Sequence, residues 1–142
     1  MGTTDKTTIT VKVLIQAPID MVWKKWTTPE DIKKWNYASN DWHSPHVDND
    51  LRVGGRFTFR MEAKDGSAGF DFTGVYEKII VNELIEYVIE DGRKVKAQFI
   101  PRGDNTEVIE SFEAENVNPV EMQHGGWQAI LDNFKKLVEN NI

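Results

Sequence analysis

Residues 118–138 read NPVEMQHGGWQAILDNFKKLV. Trp127, Ile130, Leu131, Phe134, Leu137 and Val138 recur at helical spacing, which gathers them on one face of an α-helix. Just before them, Asn118 is a good N-cap residue, Pro119 suits a first helical position, and Glu121 completes a capping box. The stretch predicts a helix of about 20 residues, ~30 Å long. Gly125-Gly126 interrupts it near the start. Each interior glycine costs ~0.5–1 kcal/mol relative to alanine, so the pair implies a kink or a close backbone approach. One long helix with one apolar face needs a large apolar surface to bury it, and the rest of the chain must supply that surface.

Upstream, the period changes from 3.6 to 2. Ile9, Val11, Val13 and Ile15 alternate with polar residues, as in a half-buried strand. Pro18 then opens a short helix with Ile19, Val22, Trp23 and Trp26 on one stripe. Thr28-Pro29-Glu30-Asp31 caps and starts a second short helix, whose apolar side carries Ile32 and Trp35. Farther on, Phe57, Phe59 and Met61, then Phe70, Phe72 and Tyr76, then Ile85, Tyr87 and Ile89, then Val95, Ala97 and Phe99, then Val108, Glu110 and Phe112 form successive inward sets. Asp65-Gly66, Asn82-Glu83, Asp91-Gly92 and Arg102-Gly103-Asp104-Asn105 separate them as turns, which predicts a five-stranded antiparallel meander. The long helix is the only element large enough to cover such a sheet. A curved sheet wrapped round one helix cannot close everywhere, so a gap lined by inward aromatics is expected between sheet, C-terminal helix and the two short helices.

Composition bounds the function. With 142 residues, one domain spanning 1–142 is the natural expectation. Cysteine is absent, which excludes disulfides, thiolate metal sites and cysteine nucleophiles and fits a reducing compartment. The segment MGTTDKTTITVK has no basic n-region and no apolar h-region, and no apolar run is long enough to span a bilayer. A soluble, cytoplasmic protein with no membrane span is expected. The net charge of −6 and the lack of a dense Lys/Arg cluster argue against nucleic-acid binding. Five tryptophans are many for a domain this size and suggest bulky aromatic packing or an aromatic-lined cavity.

The element order resembles the helix-grip fold of the START-like, or SRPBCC, superfamily, to which the birch pollen allergen and the polyketide cyclases belong. More closely, the chain resembles the family named for the C-terminal domain of the activator of heat-shock-protein-90 ATPase. The residues that carry this are Ala17-Pro18, Val22-Trp23, Trp26-Thr27, Trp35, Asp50-Leu51-Arg52-Val53-Gly54-Gly55-Arg56-Phe57, Gly74-Val75-Tyr76, Thr106-Glu107-Val108, and Gly126-Trp127 with Leu131. The resemblance implies an α+β fold: a curved antiparallel sheet of six to seven strands wrapped round a long C-terminal helix, with two short helices after the first strand. It implies a cavity for hydrophobic small molecules. It also names a chaperone, and with it the stress response. The eukaryotic activator carries a separate N-terminal domain for chaperone contacts, and this chain starts at the first strand, so chaperone activation is not expected to follow from the family alone.

Three candidate sites stand out. The stretch DWHSPHVDNDLRVGG, residues 41–55, holds His43, His46, Asp48 and Asp50. Pro45 breaks any helix that could aim both imidazoles at one ion, so a lid-like loop with a bulge or tight bend at Gly54-Gly55, or a plain loop with one anchored tryptophan, is expected rather than a metal site. Trp42 is expected over the pocket mouth. Glu110 lies between Val108 and Phe112 on a face that should be apolar. It is a polar group inside the cavity, a salt-bridged group at its rim, or a residue that a bulge turns outward. Phe59, Phe72, Tyr87, Phe99, Met122 and Trp127 complete the expected lining, and His124 is expected to face solvent. No phosphate loop, dinucleotide fingerprint or Ser-His-Asp set is present. The leading reading is a binding domain for a small hydrophobic molecule without metal or cofactor. The alternatives are a chaperone-linked interaction protein and a small cyclase- or hydrolase-type enzyme using Glu110 with Tyr87, an enzyme being the less favoured reading.

Overall fold

A computed structural model of the chain describes residues 7–140. Strand β1 (Thr8–Ile15) is followed by helices α1 (Ile19–Thr27) and α2 (Pro29–Trp35). Two very short strands come next, β2 (Trp42–His43) and β3 (Val47–Asn49). The meander is β4 (Arg56–Ala63), β5 (Gly69–Ile80), β6 (Leu84–Ile89), β7 (Lys94–Arg102) and β8 (Asn105–Glu113). Helix α3 (Val120–Glu139) closes the described chain. This is the α+β helix-grip arrangement, a curved antiparallel sheet holding a C-terminal helix.

The sheet order is β1-β8-β7-β6-β5-β4-β2, with β3 also paired to β4. It therefore has eight strands rather than six or seven. The extra ones come from residues 41–55, expected as a loop. Trp42 pairs with Ala63 and Val47 with Phe59, so this stretch covers, at two successive places, the edge of β4 that β5 leaves free. Runs of two and three residues are too short to show alternation. Asp65-Gly66 and Asp91-Gly92 make the expected hairpin turns, with φ of +79° and +93° at the glycines. A register shift between Tyr76 and Lys78 bulges β5 and adds to the bend of the sheet.

Helix α3 lies chiefly along β1. Gln128 Nε2 donates to Lys12 O at 3.1 Å, Lys135 Nζ to Leu14 O at 2.6 Å, and Gln16 N to Glu139 Oε2 at 2.8 Å. Leu131, Phe134 and Val138 are its fully buried apolar residues. The helix ends differ from the expectation by a residue or two. Pro119, not Asn118, holds the cap position of α3, and its carbonyl accepts from Met122 N and Gln123 N. The Asn118 side chain instead donates to Glu115 Oε1 at 2.7 Å, and no side chain caps the helix. Thr28 does begin α2 through its carbonyl, but its hydroxyl turns back to Lys24 O at 2.7 Å and closes α1. The Gly125-Gly126 pair makes no close approach: a Cβ at either position would meet nothing within 4 Å.

Candidate ligand-binding site

Because α3 leans on β1, it leaves the inward face of β4, β5 and β6 without a helix directly over it. Aromatic side chains fill most of that space in two groups. Near the short helices, Trp26 stacks on Trp35 at 4.9 Å and meets Phe99 and Phe134 edge-on, and Trp23 meets Phe99 edge-on as well. On the sheet, Phe57 touches the rings of Phe59, Phe72, Tyr76 and Tyr87. Trp127 of α3 stacks on Phe112 at 3.9 Å with the planes 14° apart and meets Phe72 edge-on. Between the two groups remains a cavity of about 290 Å³, walled mainly by apolar side chains. That volume is at the low end of small-molecule sites, which start near ~300 Å³.

Of the residues expected to line it, Phe59, Phe72, Tyr87, Glu110 and Trp127 are on the wall. Three are elsewhere. Met122 is 62 % exposed, because the first turn of α3 points that position away from the sheet. Phe99 is buried but packs between Trp23 and Trp26, which fill that end. Trp42 packs at 6.1 Å on Phe70 and so backs a wall residue from outside. His124 faces solvent as expected. The wall also contains residues that the sequence did not single out as lining: Trp26, Trp35, Asn36, Met61, Arg93 and Gln123. For Gln123 a signal existed, since it sits four residues before Trp127 on the same helical face.

Most polar groups on the wall are held by the protein itself. Gln123 Nε2 donates to Asn118 O at 2.8 Å and Glu115 O at 3.1 Å, and its Oε1 accepts from Glu115 N at 3.0 Å, tying the start of α3 to the preceding loop. Arg93 Nε donates to Asp91 Oδ2 at 2.8 Å and Nη1 to Glu113 O at 3.2 Å. The Tyr76 hydroxyl donates to Asn49 Oδ1. Asn36 Nδ2 reaches only the Met61 sulfur, at 3.3 Å, a weak acceptor.

Glu110 is the exception. It is 6 % exposed and makes no hydrogen bond or ion pair with any described residue. Its side chain is part of the cavity wall and is in no salt bridge among the described residues. Burial among apolar side chains disfavours its charged form and pushes its pKa up to about 8. Tyr87, 8 % exposed, has its hydroxyl pKa raised well above the ordinary value, first by burial and then by the nearby Glu110. The two histidines of residues 41–55 go to separate carboxylates, His43 to Glu62 at 3.6 Å and His46 to Asp48 at 3.0 Å. Among the described residues, no three His, Cys, Asp or Glu side chains gather as a metal site would require. No described helix is long and apolar enough to cross a membrane.

The comparisons agree with this fold. The solved AHSA1-like protein of Aeromonas hydrophila is 44% identical, with 95% of this chain and 94% of that one covered and a TM-score of 0.89. A solved protein of Cytophaga hutchinsonii is 54% identical over 94% of this chain and 93% of that one, with a TM-score of 0.82. The Aha1 dimer of Colwellia psychrerythraea shares the fold at 20% identity and a TM-score of 0.73, over 94% of this chain and 96% of that one. Among curated proteins none is significantly similar. The profile described as activator of Hsp90 ATPase homolog 1-like protein matches residues 16–139, nearly the whole chain, and the chain belongs to that family.

Proposed function

We propose that this protein binds a small, largely apolar molecule in the cavity between the sheet and α3. The supporting observation is the cavity itself: about 290 Å³, with aromatic walls from both the sheet and the helices and a carboxyl, Glu110, that has no partner among the described residues. A fully packed core of the same fold would have no such space, since protein interiors are close-packed. Fold alone does not license the reading, because START-like folds host many functions. The reading includes no metal and no cofactor, and it places the protein in the cytoplasm, which a cysteine-free composition supports. The test is a titration of isotope-labelled protein with uncharged naphthalene derivatives, followed by NMR. The Trp26, Trp35 and Trp127 indole signals should shift saturably together, and Ile130→Trp, which fills the cavity, should abolish the shifts. Shifts scattered over the outer surface, or unaffected by Ile130→Trp, would sink the reading.

A second reading draws on the family name. Val117, Val120 and Met122 are exposed apolar residues within positions 117–122, next to the start of α3, and form the kind of surface a partner such as a chaperone could cover. Titration with purified Hsp90 checks it; loss of binding in a Val117→Ser, Met122→Ser double variant would support this surface.

A further inference from the structure

Two hydroxyl-bearing groups on the cavity wall have no hydrogen-bond partner among the described residues. Neither the Glu110 carboxyl nor the Tyr87 hydroxyl hydrogen-bonds to any described residue. Among the described residues, no sealed side-chain polar atom lacks a partner, and both residues are part of the cavity wall. Strand register brings them together. Glu110 on β8 is opposite Ala97 on β7, which is opposite Ile85 on β6, two residues from Tyr87 on the same face. Ala97 presents only a methyl between them, so the two longer side chains can extend over it toward one point.

We propose that Glu110 and Tyr87 form a two-donor cradle for one carbonyl oxygen, so that the cavity selects an uncharged aromatic or alicyclic ketone, ester or amide. The proposal rests on the ligand-binding reading above and specifies its ligand class. An anionic ligand would meet no free cation among the described residues, because Arg93, the positive charge on the wall, is engaged by Asp91 and Glu113 O. An ammonium ligand would require Glu110 to ionise and the ligand charge to desolvate in the same apolar space. A carbonyl requires neither: it has two lone pairs and accepts from both groups while they stay neutral. The other titratable groups on the wall are Tyr76 from β5, Arg93 from the β6–β7 turn and Glu115 after β8. Helices α1, α2 and α3 and strand β4 turn only uncharged side chains to it. Burial keeps Glu110 protonated up to about pH 8, so at neutral pH it is a donor.

The experiment is isothermal titration of the full chain with acetylnaphthalene, ethylnaphthalene and naphthylmethylamine, which share one apolar body. Acetylnaphthalene should bind about tenfold more tightly than ethylnaphthalene at slightly acidic pH, the effect of hydrogen bonds to a buried acceptor. The preference should fall as pH rises through about 8. Tyr87→Phe should lower the ratio of acetylnaphthalene to ethylnaphthalene affinity. Glu110→Gln, which still donates through its amide, should keep much of the preference and lose its pH dependence. Equal binding of the acetyl and ethyl compounds would overturn the carbonyl cradle and leave ligand binding standing. Tightest binding of the amine would overturn it in favour of a cation site. Binding of none of the three would sink both readings.

Discussion

The ring of Phe57 occupies the space in which a side chain at Gly74 would lie. The two are paired across β4 and β5, and a Cβ on Gly74 would stand 2.6 Å from both Cε2 and Cζ of that ring. On the other side it would stand 2.8 Å from the carbonyl oxygen of Val88, which is backbone and cannot swing away. Phe57 is also the ring that touches Phe59, Phe72, Tyr76 and Tyr87, so the cavity wall is built around the absence of a side chain at position 74.

Gly74→Ala should therefore destabilise the fold by ~1–3 kcal/mol, the usual cost of overpacking. Denaturant unfolding measures it. A variant as stable as the parent would mean that the Phe57 ring moves freely, and with it the wall.

Gly126→Ala should act in the opposite direction. The helical glycine faces open space, so a methyl meets no obstacle and the backbone gains helix propensity. The expected gain is ~0.5–1 kcal/mol, read from the shift in the denaturant midpoint. A loss would show that some state of the protein brings another group close to this turn.

Gln123→Ala removes three hydrogen bonds at once. It leaves Glu115 N, Glu115 O and Asn118 O without their side-chain partner at the start of α3. The expected loss is ~1–3 kcal/mol. Hydrogen exchange should show faster opening of residues 115–123 with β7 and β8 unchanged. Uniformly faster exchange would mean that the site is part of the global core instead of a local clamp.

How much of this was legible in the sequence depended on whether local period decides position. Strand alternation placed Phe57, Tyr76, Ile85 and Phe112 inward, and the helical spacing of Leu131, Phe134 and Val138 placed α3 on the sheet. Glu110 was visible for the same reason, a charged residue on an apolar parity. Period says which face a residue takes but not which end of the sheet is packed and which is open. Phe99 was inward yet lost from the wall because Trp23 and Trp26 fill its end. Met122 fell in the first helical turn, where the expected stripe had no partner element. Trp35 and Asn36 reach the cavity only through the placement of α2 against β3 and α3, which no local pattern encodes.

The Glu110 carboxyl should make stability depend on pH in a direction that its environment fixes. Its folded pKa is about 8, against ~4.3 for an unfolded glutamate. The folded state thus holds the proton more tightly than the unfolded state. The contribution is fully present below the unfolded value and is lost as pH rises toward the folded one. Glu110→Gln keeps the shape and cannot titrate. Between about pH 4 and pH 8 the parent should lose stability relative to the variant, by as much as ~1.4 kcal/mol per pH unit. Above that window the difference should level off. Melting temperatures of both proteins across the range give the comparison directly. If the variant were instead the less stable at neutral pH, with the gap closing in acid, Glu110 would have a cationic partner in solution and its carboxyl would be ionised. A flat difference across the window would mean that water reaches the carboxyl freely and that the cavity is wet around it.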